Sequence, residues 1–200
     1  MKKRYLFVLC LIIISSYSAV ACVSVRIRAY AQWDYKTAIK EIKTPKQTAK
    51  YLETYLKCID TQTWRSFKCI HLRRYALCAE YAFAAAALLS DNGYPPLMLC
   101  VYFEEKPGEK QKAHACFVYK NENRWGTLGQ KGENSPGAIF ANLEEACQYL
   151  QKNHDRKIVA YVLHNLEGYN FIDGDESDIY NHWYKGKRIN LNNQEPAHLK

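Results

Sequence analysis

Apolar residues recur every three to four positions between residues 44 and 56, which is the spacing of a helix that buries one face. Thr44 is a favoured N-cap residue, and Pro45 suits the first position of a helix because no backbone N–H is needed there. The apolar face then consists of Ala49, Leu52, Tyr55 and Leu56. The pattern predicts a helix that begins at Pro45.

The stretch from Cys78 to Leu89, CAEYAFAAAALL, is apolar on nearly every side. A helix of this kind is buried in the core of a domain, since no side of it suits water. It should end at SDNGYPP, because Asn92-Gly93 favours a turn and the two prolines cannot continue a helix. We therefore expect a central buried helix whose first residue is Cys78.

Beyond residue 96 the pattern changes to that of strands and turns. Strands are predicted from Leu97 to Phe103, from Ala113 to Lys120, over residues 124–129 and from Lys157 to Asn165. A late helix over residues 142–153 has Asn142 as its N-cap, Glu145 at the capping-box position and Cys147 on its buried stripe. Helices followed by consecutive strands indicate an α+β fold, with the Cys78 helix packed on an antiparallel sheet.

The first 21 residues are typical of a signal peptide, with a basic start, an apolar run and small residues before Cys22. The apolar run is too short for a permanent span of about 20 residues. The sequence AVAC also resembles a bacterial lipoprotein box, so lipidation of Cys22 and simple cleavage after Ala21 both stay open. The ordinary composition, 48% hydrophobic and 24% charged, predicts one domain over residues 22–190 and a solvated tail over 191–200.

Charge and motifs exclude several function classes. Loss of Lys2, Lys3 and Arg4 with the leader lowers the formal net charge from +8 to +5, and the remaining basic residues are scattered rather than clustered. We therefore expect no nucleic-acid partner and contact with a membrane only through a lipid on Cys22. No cofactor is implied and no metal signature occurs. The acidic sequence DGDESD has no glycine at the sixth position of a calcium loop, and no glutamate fits the end of such a loop.

Cysteine is frequent, with eight residues in the precursor. Cys10 leaves with the leader, and six cysteines follow Cys22: Cys58, Cys69, Cys78, Cys100, Cys116 and Cys147. Export permits disulfides, but no CxxC pair occurs and several cysteines fall on apolar positions, where cysteine acts as a small core residue. A disulfide between Cys78 and Cys116 stays open as an alternative.

The position of Cys78 favours a nucleophile. A thiol reacts as thiolate, and a helix N-terminus offers N–H groups and partial positive charge that lower its pKa. His114 is the candidate partner, because it begins the strand after the turn that follows the cysteine helix. Alternation places His114, Cys116 and Val118 on one face, which we expect to pack on that helix and bring His114 to Cys78.

Residues 44–130 resemble the bacterial transglutaminase-like domains of the papain-like fold. The similarity consists of Cys78 opening an alanine-rich helix, Gly93 after it, His114-Ala115 opening a strand and Trp125 in the next strand. The resemblance implies Cys78 as nucleophile and His114 as general base on an amide or ester bond. It also implies an exported peptidase or amide hydrolase with a protein or peptide substrate.

One position departs from the family pattern. Four residues after Trp125 the family places an aspartate that orients the histidine, and this chain has Gly129. Gln130 or Asn134 is a candidate to hold the imidazole instead, and Glu133 is the first acid beyond the strand. The absence of the aspartate leaves an alternative function open, namely a catalytically silent binding or scaffolding lipoprotein. Trp125 is expected to pack in the core or to cover the histidine.

Overall fold

The computed structural model describes residues 33–59, 64–108, 112–174 and 186–191. The predicted leader, Cys22 and all but the first residue of the predicted tail lie outside these residues. Within them, no helix combines the length and the apolarity that crossing a membrane requires.

In the described part of the chain, four α-helices precede the main sheet. They are α1 (Tyr35–Glu41), α2 (Pro45–Tyr55), α3 (Phe67–Arg73) and α4 (Cys78–Leu89). Helix α2 begins as predicted, because the Thr44 side chain accepts from the Gln47 N–H while Gln47 accepts from the Thr44 N–H. Helix α4 has the predicted bounds, and every residue after Cys78 is buried. Two-residue strands β1 (Lys57–Cys58) and β2 (Tyr75–Ala76) pair in parallel just before α4.

The main sheet has five antiparallel strands in the order β5-β4-β3-β6-β7. Their bounds are β3 (Leu97–Phe103), β4 (Ala113–Asn121), β5 (Arg124–Leu128), β6 (Ile158–Asn165) and β7 (Arg188–Asn190). Helix α5 (Leu143–His154) lies between β5 and β6 in the chain. The predicted α+β architecture with a cysteine-bearing central helix and an antiparallel sheet is therefore confirmed at this level.

The two faces of the sheet carry separate cores. Helix α4 packs on the face that contains Ala115, Phe117 and Tyr119 of β4. Cys116 and Val118 lie in the second core, with residues of α5 such as Cys147. The expectation that Cys116 and Val118 pack on the cysteine helix is therefore wrong. The sequence gives no alternation to decide the face, because residues 114–119 of β4 are buried on both sides.

Two details of the helices differ from the sequence prediction. Asn142 caps α5 by accepting from the Glu145 N–H, but the Glu145 carboxylate accepts from the N–H of Ala141 rather than from that of Asn142. His71, which the sequence could not place, lies in α3. It is buried there between the Tyr51 hydroxyl, 2.8 Å from Nδ1, and the Trp33 carbonyl, 2.8 Å from Nε2. His71 is thus a core residue.

Candidate active site

Cys78 is the first residue of α4 and lies at the rim of the core, partly exposed. The start of the helix is fixed by Glu80, whose carboxylate accepts from the Leu77 N–H at 2.8 Å. Glu80 is fully buried and is neutralised by Arg65, which donates to both carboxylate oxygens at 2.6 and 2.7 Å. A rigid, buried segment therefore carries the thiol at a helix N-terminus, as the sequence predicted.

The His114 side chain lies beside the Cys78 thiol, close enough for each group to shift the pKa of the other. Strand β5 pairs with β4 only from Phe117 onward, so the edge of β4 at Ala115 is open, and its N–H also reaches the sulfur. His114 lies on the α5 side of the sheet and is 7% exposed. The structure brings the two predicted site residues together at the edge of β4, rather than through the shared face that the sequence suggested.

Glu133 stands on the far side of the imidazole. Its Oε1 lies 3.0 Å from His114 Nε2, and the residue is 2% exposed. Nε2 faces the carboxylate, which leaves Nδ1 as the ring nitrogen available to Cys78. The partly exposed thiol, the buried imidazole and the buried carboxylate therefore follow one another in a line.

Gly129 and Glu133 share one volume. A Cβ built on Gly129 would collide with Oε2 of Glu133 and come within 3.2 Å of the Cys116 Cβ. The Glu133 carboxylate thus fills the space beside the strand into which a side chain at position 129 would project. The carboxylate that the family pattern places at position 129 is here supplied by Glu133, four positions later in the chain.

The loop that carries Glu133 is bound to its surroundings on both sides. The Thr127 hydroxyl donates to the Glu133 carbonyl at 2.6 Å, and the Gln130 N–H donates to Glu133 Oε2 at 2.8 Å. From α5, the hydroxyl of Tyr149 and the amide of Asn153 donate to the Gly132 carbonyl at 3.0 and 2.6 Å. The carboxylate is therefore held in a fixed orientation.

Neither Gln130 nor Asn134 holds the imidazole. Gln130 supports Glu133 through its backbone, and its side chain is not used in that contact. Asn134 accepts from the Gly129 N–H at 3.0 Å and donates to Glu53 at 2.8 Å, which closes the loop. The sequence favoured these amides because Glu133 lies beyond the strand. No local pattern indicates the turn that brings Glu133 back to the imidazole.

A second histidine contacts the same carboxylate. His154, the last residue of α5, places its Nε2 3.1 Å from Glu133 Oε1, and its ring centroid is 4.3 Å from that of His114. His154 lies one residue beyond the helix predicted over residues 142–153 and was not among the predicted site residues. No local signal marks it, because residues 114, 133 and 154 come from three separate elements.

The pKa values of the three groups shift in the direction that a nucleophile requires. Burial opposes ionisation of Cys78, but hydrogen bonds from His114 and from the N–H groups of Ala115 and Ala79 outweigh it and lower the thiol pKa. Burial likewise opposes the imidazolium of His114, yet contacts with Cys78 and Glu133 raise its pKa. For Glu133, the contacts with His114 and His154 outweigh burial and lower the pKa.

Other sequence candidates lie away from this site. Trp125 pairs with Lys120 on β4, six residues from His114, so it covers the second core and not the histidine. Cys78 and Cys116 are not bridged, and all six cysteines of the described ranges are thiols. Among these, burial raises the pKa of Cys100, Cys116 and Cys147.

Two cavities differ in their relation to the site. One of about 400 Å³ is lined in part by Tyr81, one turn after Cys78, and by Gln130, next to the Glu133 loop. A larger cavity of about 460 Å³ is lined by Ala86, Ser90 and their neighbours. That end of α4 is roughly 15 Å along the helix from Cys78. The first cavity is lined by near neighbours in sequence of Cys78 and Glu133, although neither lining includes Cys78, His114 or Glu133.

The arrangement provides a thiol with a lowered pKa, a base in contact with it and a carboxylate that orients the base, which is the set of groups used in covalent catalysis. Comparison of the chain with models of known protein families gives no match, and comparison with the curated proteins gives none.

Proposed function

We propose that this chain is a cysteine hydrolase of the transglutaminase-like class, with Cys78 as nucleophile, His114 as general acid–base and Glu133 as the orienting carboxylate. More particularly, we propose that it hydrolyses an amide or peptide bond of a protein or peptide substrate outside the cytoplasm. The observation that carries the proposal is the line from the Cys78 sulfur through the His114 ring to Glu133. The order of Cys78, His114 and Trp125 along the chain, which resembles that of the transglutaminase-like domains, also supports the proposal.

In the first half-reaction the Cys78 thiolate attacks the substrate carbonyl carbon, and the carbonyl oxygen becomes an oxyanion. N–H groups in the first turn of α4 have no partner within the helix and are placed to donate to this oxygen. The imidazolium of His114 then gives its proton to the departing amine as the carbon–nitrogen bond breaks. The products are a free amine and an acyl thioester on Cys78.

In the second half-reaction His114 is neutral and accepts a proton from water while the water oxygen attacks the thioester. The carbon–sulfur bond breaks, the carboxylic acid leaves and the thiolate–imidazolium pair returns. Glu133 keeps its charge throughout and holds the ring so that Nδ1 faces the sulfur. We propose hydrolysis rather than transfer to an amine, because no second site for an amine donor is evident among the described residues.

The test is the reactivity of Cys78 in the purified mature protein with a metal chelator present. An iodoacetamide probe at pH 6–7 should modify Cys78 first, and peptide mapping should locate the adduct. His114→Ala should slow this reaction by at least about tenfold through loss of the partner that lowers the thiol pKa. Equal labelling of Cys78 and the exposed Cys58 in the parent would refute an activated nucleophile.

The alternative, a catalytically silent binding or scaffolding protein, rests on the absence of a carboxylate at position 129. The contact of Glu133 with the imidazole weakens this argument, because a carboxylate is present beside the ring. The two functions still differ in outcome. A silent protein keeps its biological activity in Cys78→Ala and His114→Ala, whereas a hydrolase loses it in both.

A further inference from the structure

Three side chains behind the proposed nucleophile form a cluster that the hydrolase mechanism does not fully use. His114, Glu133 and His154 each offer one ligand atom within 4.8 Å of the other two, and Nε2 of both histidines lies close to Glu133 Oε1. Hydrolysis needs the first two groups, and His154 has no role in it. We propose that the three atoms form a binding site for a borderline divalent cation, Zn²⁺ in the first place, and that the bound ion switches off Cys78.

The distances fit ligands of one metal ion. Zinc–nitrogen and zinc–oxygen bonds of about 2.0 Å at a tetrahedral angle place neighbouring ligand atoms about 3.3 Å apart. The observed separations from Glu133 Oε1 are 3.0 Å to His114 and 3.1 Å to His154. Small movements of the three side chains therefore suffice to admit the ion.

The ring nitrogens also lack the hydrogen bonds that a purely structural cluster would make. Nε2 of His114 and Nε2 of His154 are buried, and neither makes a well-directed hydrogen bond despite its short distance to the carboxylate. Each ring therefore points beside the Glu133 oxygen instead of at it. Ligands around a common metal are arranged in this way, because each nitrogen points at the ion and not at its neighbouring ligand.

The donor set selects the ion. Two imidazoles and one carboxylate suit zinc, whereas magnesium and calcium prefer shells made of oxygen atoms. Three protein ligands leave a fourth position for water. The His154 side chain is 23% exposed, which gives the ion a route from solvent. Cys78 contacts the opposite nitrogen of His114, so its sulfur is not one of the ligands.

The effect on the thiol rests on the proposed function. Zinc on Nε2 leaves the His114 ring with its proton on Nδ1, facing Cys78. The ring then cannot accept the thiol proton, and Glu133 is occupied by the ion. The ring therefore cannot take up and return the proton that hydrolysis requires, and the reaction stops until the metal is removed.

Calorimetric titration of the purified mature protein with zinc chloride tests the site. Cys78→Ser serves as the reference, because it removes the competing thiolate and leaves the three ligands in place. It should bind one Zn²⁺, and adding His154→Gln should weaken binding at least about tenfold. Magnesium and calcium should give no heat. Unchanged zinc affinity after His154→Gln, or loss of zinc binding in Cys78→Ser, would overturn the site.

A spectroscopic measurement covers the case in which His154→Gln folds poorly. The X-ray absorption spectrum of the zinc-loaded parent should show nitrogen and oxygen neighbours and no sulfur; a sulfur shell would refute the assignment. Separately, zinc should suppress hydrolysis of a chromogenic ester in the parent and not in His154→Gln. Binding without an effect on hydrolysis would retain the site and refute the switch. An unreactive Cys78 in metal-free protein would refute the hydrolase and leave the metal site standing.

Discussion

Glu133 is the residue on which the orientation of the His114 imidazole depends in the proposed mechanism. Glu133→Gln keeps the shape but removes the charge that holds His114, so we expect hydrolysis and Cys78 labelling to fall, with a loss of about 10²–10⁴ in kcat by analogy with a serine triad. Gln130→Ala is the matched control, because Gln130 supports the carboxylate only through its backbone N–H. Steady-state kinetics and labelling rates check both variants, and full activity of Glu133→Gln would contradict the role.

The shared volume of Gly129 and Glu133 allows a rescue experiment. Glu133→Ala should inactivate the site and vacate the space into which a side chain at 129 projects. Adding Gly129→Asp should restore part of the labelling rate, since a carboxylate again reaches the imidazole. Gly129→Asp alone should destabilise the protein through the clash, which thermal unfolding measures. No recovery in a folded double variant would show that position 129 cannot supply the group.

The opposite pKa shifts of Cys78 and His114 predict a bell-shaped pH dependence of hydrolysis in metal-free protein. The acid limb reports protonation of Cys78 and lies below the ordinary thiol range near 8.5, because its pKa is lowered. The alkaline limb reports loss of the imidazolium proton of His114 and lies above the ordinary range near 6.5, because its pKa is raised. Activity confined to pH above 8.5 would contradict the shift of Cys78, and loss of activity above pH 6.5 would contradict that of His114.

At this scale the sequence predicted Cys78 and His114 but neither Glu133 nor His154. The first pair lies at the starts of two strongly patterned elements, so local signals were sufficient. Glu133 reaches the imidazole through a turn closed by Asn134 and Thr127. His154 lies at the end of α5, which packs on the face of the sheet opposite α4. Such placements depend on tertiary packing, which no spacing in the sequence encodes.

Among the elements, the start of α4 depends most on one ion pair. Glu80 is fully buried and bonded to Arg65 and the Leu77 N–H. Arg65→Ala leaves the carboxylate without its cation and should lower the free energy of unfolding by about 3–5 kcal/mol. The exposed pair Lys157–Glu104 is the control, and Lys157→Ala should cost at most about 1 kcal/mol. Urea denaturation of both variants measures the difference, and equal losses would contradict it.

The sequence predicted long elements better than short ones. Helices α2, α4 and α5 have 11 or 12 residues and clear starts, and all three were predicted. Helices α1 and α3 have seven residues each, and Ser66 makes no side-chain cap at α3. Helices of this length are marginal alone and form through packing, so the pattern did not reveal them.

For the molecule as a whole, the two cores share a single sheet between α4 and α5. Leu88 and Leu150 are both fully buried, one in each core. Replacing either by Ala should cost about 2–5 kcal/mol. Because β3 and β4 line both cores, each variant should still unfold in one transition, with fluorescence and circular dichroism coinciding. Separate transitions for the two probes would show that the cores unfold independently.

The turn after β5 bears on how chains with this arrangement of thiol, imidazole and carboxylate are found. A search template that demands an acid four residues past the tryptophan would reject this chain, although its carboxylate occupies that spot in three dimensions. Glycine at the expected position with glutamate four residues later is an equivalent sequence pattern. Searches that accept both patterns should recover candidates that the first pattern alone discards as inactive.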